Sequence, residues 1–172
     1  MADEQNKQQD SNQTQAQPPQ QQFALQKVYI KDLSFESPMG ASAFNQMGKP
    51  QINQEFNNKN QKVGDDLYEV VLSFTLTVKV DDKTVYLVEI QQAGIFAIKG
   101  LDNNQLTQIL NTLCLHTLFP YARETIDTIV TKGGFPPLLL PHINFDVLFA
   151  QAVAKAKEQG QAGGQQSAPT IN

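Results

Sequence analysis

The sequence predicts an α+β domain: a four-stranded antiparallel sheet, one long kinked helix and one short C-terminal helix. Three observations predict it. From Tyr68 to Val80 the even positions are all apolar, and Glu69, Ser73, Thr75, Thr77 and Lys79 alternate with them. Flanking stretches continue in β-branched and aromatic residues, and beyond residue 105 the apolar spacing lengthens from two to between three and four.

Residues 1–22 are Gln-rich and carry too little apolar area to offset backbone ordering, about 1–2 kcal/mol per residue, and are expected to be a disordered tail. A second Gly- and Gln-rich tail is expected over 159–172, leaving 23–158 as a single domain. From Phe23 to Phe35, Leu25, Tyr29, Leu33 and Phe35 share one parity and Asp32, Ser34 and Glu36 the other, which predicts a first strand. Residues 37–64 mix Gly, Pro and Asn with isolated Phe44, Ile52 and Phe56, too irregular for one element; so long a connection is often functional. Leu67 to Val80 is a half-buried strand with the even positions inward. Asp81, Asp82 and Lys83 supply turn chemistry, Thr84 to Ile90 forms a hairpin partner, and Ile95 to Lys99 adds a strand after Gly94. Asp102, Asn103 or Asn104 caps a helix whose apolar residues run from Leu106 through Leu110 and Leu113 to Val130. That helix ends at Gly133 and Gly134, with a break expected near Phe119 because Pro120 has no N–H and clashes with the preceding turn. Asn144 caps a short last helix bearing Phe145, Leu148, Phe149 and Val153.

Composition excludes several classes of function. A net charge of -4 and a pI near 5.1 disfavour nucleic acid and anionic lipid, which are bound by clustered Lys and Arg. The single cysteine, Cys114, cannot form an internal disulfide, which fits a reducing compartment. Without an apolar leader or an apolar run of about 18 residues, the expectation is a cytoplasmic protein with no membrane insertion.

No catalytic constellation emerges, and neither an enzyme nor a bound cofactor is expected. The glycines match no phosphate-binding fingerprint. Cys114 and His116 lie about 200° apart around their helix, a poor dyad, and His142 has no partner at metal-ligand spacing. Asp32 and Glu36 point away from the core, as does Glu89, whose same-face neighbour Leu87 is apolar where the core needs nothing. Such a surface is either a docking patch or solvated charge that keeps a sheet from aggregating. Phe44, Phe135, Leu138, Leu139, Leu140, Phe145, Leu148 and Phe149 are either core or, where they stay accessible, the wall of a groove for apolar peptide segments.

Five runs carry a resemblance: VYIKDLSFESP, DDLYEVVLSFTLTV, EIQQAGIFAIKG, LFPYARETI and FPPLLLPHINFDVLF. In that order they closely resemble the bacterial protein-export chaperone family SecB and cover most of residues 23–153. FPYARE followed by GGFPP and NFDVLF is the most specific part. The resemblance implies a homotetramer, a dimer of dimers with the long helices between two sheets. It implies a holdase that works without ATP on unfolded precursor proteins and delivers them to the motor ATPase SecA. By matching position, Asp32, Glu36, Leu87 and Glu89 look like the contacts for SecA. Val88, Ile90 and Gln92 match positions that affect assembly, and Leu110 and Leu113 on the long helix are expected in the oligomer interface. The client groove would run between the 37–64 crossover and the last helix, lined by Phe44, Phe135, Leu138, Leu140, Phe145, Leu148 and Phe149. Two other readings stay open: a structural interaction protein that uses the acidic sheet face without holding clients, and a small enzyme or ligand carrier built on the Pro-rich loop and His142.

Overall fold

The computed structural model describes residues 21–45 and 48–162, so most of both expected tails lies outside the described residues. Four strands, β1 (Gln22–Glu36), β2 (Gln51–Gly64), β3 (Leu67–Val80) and β4 (Lys83–Lys99), form one antiparallel sheet in the order β1-β4-β3-β2. Helices α1 (Asn103–Asn111), α2 (Leu113–Lys132) and α3 (Phe145–Ala162) follow.

The alternation in β3 works as expected. Val70, Leu72, Phe74, Leu76 and Val78 are buried, together with Val88, Ile90, Phe96 and Ile98 of β4, under Leu115, Leu118, Phe119, Ala122 and Ile126 of α2. We call this the helix face and the opposite side the outer face. Asp81 and Asp82, at φ 49° and 62°, make the two-residue β3–β4 turn, whose twist suits a hairpin.

Five expectations need correction. The strand count is right but its membership is not. Residues 84–99 form one strand that runs through Gly94, because the missing side chain there is where α2 seats: a Cβ would stand 2.8 Å from Leu118 Cδ2. The crossover contains a 3-10 turn (Gly40–Asn45) and then β2, an edge strand so polar that no apolar alternation announces it. Tyr29 does not share a face with Leu25, Leu33 and Phe35. Bulges between Leu25 and Lys27 and between Ile30 and Asp32 each reset the parity of β1, so Val28 and Ile30 take the helix face and Tyr29 the outer face. The long helix breaks at Thr112 (φ -127°, ψ -78°), and Pro120 sits inside an unbroken α2. At the break the Thr112 hydroxyl donates to the Gln108 carbonyl (2.9 Å) and the Asn111 amide to the Thr107 carbonyl (2.8 Å), side-chain bonds that compete with the backbone ladder. Finally, α3 has 18 residues and continues past residue 159, so it is neither short nor finished at the expected domain edge.

The caps behave as the sequence indicates. The Asp102 carboxylate accepts from the backbone N–H groups of Asn104 and Gln105, both at 2.8 Å, in a capping box completed by the Gln105 side chain. The Asn144 side chain accepts from the Val147 N–H at 3.1 Å.

Candidate functional site

Two surfaces on opposite sides of the sheet stand out, and each is built by local rules. At the C-terminus of α2 the Phe135 N–H donates to the Val130 carbonyl (3.2 Å) and the Gly134 N–H to the Thr131 carbonyl (3.0 Å). Gly134 sits at φ 87°, so the chain reverses in a Schellman motif that a glycine permits at low cost. The reversal drops Phe135 onto Tyr86, with ring centroids 4.6 Å apart, and under Phe44, at 5.2 Å. The Asp127 carboxylate then accepts the Leu138 N–H at 3.0 Å, which ties the Pro-rich loop to α2. The Leu140 N–H donates to the Leu138 carbonyl at 3.0 Å, a tight turn that leaves Leu138 packed, Leu140 buried and Leu139 82% exposed.

Between this loop and the start of β2 lies an apolar cleft of about 240 Å³ lined by Ala43, Ile52, Val78, Val85, Tyr86, Phe135 and Leu138. Burial pushes up the pKa of Tyr86 at its floor. Phe44, 59% exposed, stacks on Phe135 beside it. Three of the expected groove residues, Phe44, Phe135 and Leu138, therefore meet here. The others do not. Leu140 and Phe145 are 2% and 1% exposed and belong to the core, because Phe145 is wedged between Phe56 and Phe119. Leu148 and Phe149 are half-buried on α3, away from the cleft lining. The sequence reading did not place Ala43, Val78, Val85, Tyr86 or Ile52 in the groove; of these Ile52 is the exposed one, at 46%, and its signal was the Ile52–Phe56 spacing in an otherwise polar run.

The outer face holds the second surface. Across β1 and β4, Glu36 pairs with Leu87, Ser34 with Glu89 and Asp32 with Gln91. Asp32, Glu36, Leu87 and Glu89 thus share one patch, with the three carboxylates exposed and Leu87 half-buried. Further along the same face, Glu69 of β3 is only 7% exposed. The Tyr29 hydroxyl donates to it, as do the Lys31 ammonium (3.0 Å) and the Gln61 amide (2.6 Å). Tyr29, then Lys31, holds the Glu69 carboxyl below the usual range, while the bond to Glu69 pushes Tyr29 up to about 12.

Val88, Ile90, Gln92 and Leu110, expected at an oligomer interface, are buried within the chain itself; Leu113 is 42% exposed. Gln92 donates to the Tyr29 carbonyl at 2.9 Å, and its Oε1 is the one buried side-chain polar atom without a partner among the described residues. Opposite it on β1, Ile30 is 47% exposed on the helix face.

Chemistry is sparse. Burial pushes the Cys114 thiol up to about 12, so it packs as a small apolar group. His142, expected to stand alone, stacks 6.0 Å from His116, whose Nε2 lies 2.9 Å from Asp146 Oδ2. No group of three or more His, Cys, Asp or Glu side chains converges on a metal-sized site among the described residues.

A family model described as preprotein translocase subunit SecB matches residues 14–156. The protein-export protein SecB of Cellvibrio japonicus is 52% identical over 161 residues, covering 94% of this chain and 94% of that one. That of Marinobacter nauticus is 51% identical over 154 residues, covering 90% of this chain and 92% of the other. Among solved structures, a SecB-like chaperone from Mycobacterium tuberculosis, in complex with a ChAD peptide from an antitoxin, superposes with a TM-score of 0.58 at 18% identity. It covers 70% of this chain and 90% of that one, and shows the same fold. With the family pattern spanning both surfaces and identity near one half across nearly the whole chain, the chain belongs to the SecB family of protein-export chaperones.

Proposed function

We propose that this chain is an ATP-independent holdase that binds unfolded precursor proteins at its apolar cleft, keeps them competent for translocation and delivers them to SecA. The observation that carries the proposal is the cleft itself. It is apolar, open, and edged by side chains that remain half in water. Apolar contact contributes about 25 cal/mol per Å² whatever the sequence that supplies it, while ordering an unfolded client offsets much of the gain. Broad and reversible binding follows. The test is a refolding assay: with no nucleotide present, the purified protein should slow the refolding or aggregation of a denatured precursor. An unaffected refolding rate at micromolar chaperone refutes the proposal.

The acidic outer patch is the proposed contact for SecA. Charge reversal at Asp32 and Glu36 is expected to weaken SecA binding while client holding persists, since the cleft opens on the other side of the sheet. Loss of both together contradicts the division into two surfaces. Loss of neither removes the acidic patch as the SecA contact, whereas SecA binding that depends on the patch in a protein with no client holding favours a structural interaction protein that uses the acidic sheet face.

Assembly as a homotetramer, a dimer of dimers, belongs to the same reading, as does a cytoplasmic location. Supporting assembly are Ile30 and Leu113, large apolar side chains left exposed, and the unpartnered Gln92 Oε1 near the free edge of β1. Val88, Ile90 and Gln92 act in this scheme by positioning α2 and β1 from beneath. Light scattering should give four times the mass of one chain. A stable monomer at micromolar concentration overturns this part.

A further inference from the structure

The outer face is electrically divided, and only its acidic half enters the function proposed above. One cross-strand row joins Tyr29 (β1), Ala93 (β4), Val71 (β3) and Lys59 (β2), with the Lys31 bulge beside it. Here the face sinks into a cleft of about 490 Å³ lined by Lys31, Lys59, Gln61, Glu69, Ser73 and Gln91. The floor is low because Val71 is short, whereas the longer side chains of Lys31, Lys59, Gln61 and Gln91 rise around it.

Within this cleft the charges do not cancel. The Lys31 ammonium is consumed by Glu69, at 3.1 Å and 3.0 Å from its two oxygens, and Glu69 is saturated further by Tyr29 and Gln61. Lys59 is exposed and makes no ion pair among the described residues. The cleft therefore presents one uncompensated ammonium, flanked by the Ser73 hydroxyl and the Gln91 amide. Such a lining accepts a carboxylate. It is also continuous with the acidic patch, because Gln91 pairs with Asp32 and stands two positions from Glu89 on the same face. Ala93 lies four positions beyond Glu89 on β4, about 13 Å at roughly 3.3 Å per residue, and Lys59 lies two strands across from Ala93, about 9–10 Å further to the side, so the two ends stand about 16 Å apart on a diagonal.

We propose that the Lys59 cleft is a second contact for SecA, the partner proposed above for the acidic patch, and that it takes a carboxylate side chain of that partner. The docking segment is then bipolar: basic groups over Asp32, Glu36 and Glu89, and an acidic group about 16 Å from Glu89, diagonally across the sheet toward β2. The arrangement fixes the direction in which the segment lies, which a uniformly acidic patch cannot do. This inference rests on the docking role proposed above for the acidic patch.

The test measures binding of purified SecA to the full-length chain by fluorescence anisotropy at low and at moderate salt. Lys59→Glu is expected to weaken binding about three- to tenfold at low salt, with a smaller effect as screening rises. Ser73→Asp, which places a carboxylate in the same cleft from β3, should act in the same direction. Unchanged melting temperature and client holding confirm that the variants are folded. If both variants bind as tightly as the parent while Asp32→Lys with Glu36→Lys abolishes binding, the second contact is overturned and the acidic patch stands. Tighter binding by Lys59→Glu overturns it as well. If none of the reversals changes binding, the docking role itself falls and takes the inference with it.

Discussion

Ile52→Ser isolates the apolar contribution of the cleft to client binding. Ile52 lies on an edge strand, pairs with Val78 and keeps 46% of its surface in water. Fully burying such a side chain is worth about 1.5–3 kcal/mol, so a client that covers the remaining surface gains about 0.7–1.4 kcal/mol from this residue. At about 1.4 kcal/mol per tenfold, Ile52→Ser should weaken client affinity roughly three- to tenfold. The assay is titration of a labelled, permanently unfolded precursor, read by anisotropy. The part of Ile52 already packed is a separate matter and appears as a lower melting temperature. Thr77→Ser, on the outer face, is the control and should leave affinity unchanged. An Ile52→Ser affinity within twofold of the parent, in a folded protein, refutes the cleft as a client contact.

Three further outcomes follow from the packing. Glu69 has a carboxyl pKa lowered in the fold, so the stability it contributes is full above the ordinary carboxylate value of 4.5 and is lost as pH falls through the lowered value; Glu69→Gln should remove that portion of the acid unfolding curve, followed by circular dichroism against pH. Gly94→Ala forces a methyl to within 2.8 Å of Leu118 Cδ2 and 2.9 Å of Phe96 Cε2, and should destabilise by about 1–3 kcal/mol in a urea titration. Cys114, buried and with its pKa pushed to about 12, should resist a thiol reagent at pH 8 until denaturant is added; rapid labelling of the native protein contradicts that burial.

How far the sequence carried each element depended on whether side chains or backbone decide it. The alternation of β3 is a side-chain signal, and it located both the strand and its inward face. β2 is decided by backbone. Without it β3 would leave a row of N–H and C=O groups unpaired along its edge, and Gln51–Gly64 supplies partners while contributing few apolar groups. Parity counting failed at Tyr29 because a bulge adds a residue without any compositional mark, as at Lys31. Pro120 misled for another reason. An exposed proline deletes one hydrogen bond, whereas Thr112 and Asn111 redirect their hydroxyl and amide to carbonyls of the preceding turn, and the chain breaks there. For the candidate sites, the outer patch was legible because β1 and β4 pair without a bulge from Asp32 onward, so parity puts Asp32, Glu36, Leu87 and Glu89 on one side. The groove was legible only in part. Whether Leu138, Leu139 or Leu140 points inward is set by a three-residue turn, and nothing in a run of three leucines encodes that choice.

The separation of the two surfaces is a consequence of strand geometry. On β4 successive side chains face opposite ways, so Val88 and Ile90 carry α2 while Leu87 and Glu89 face outward one residue away. A change at Glu89 alters charge at the acidic patch and leaves the core untouched. A change on the inward set cannot reach that patch, yet it moves α2, and through α2 the Asp127 carboxylate that anchors Leu138 beside the cleft. In the proposed scheme client binding and assembly use one face of the sheet and SecA docking the other, and β4, which supplies residues to both faces, is the mechanical link between them.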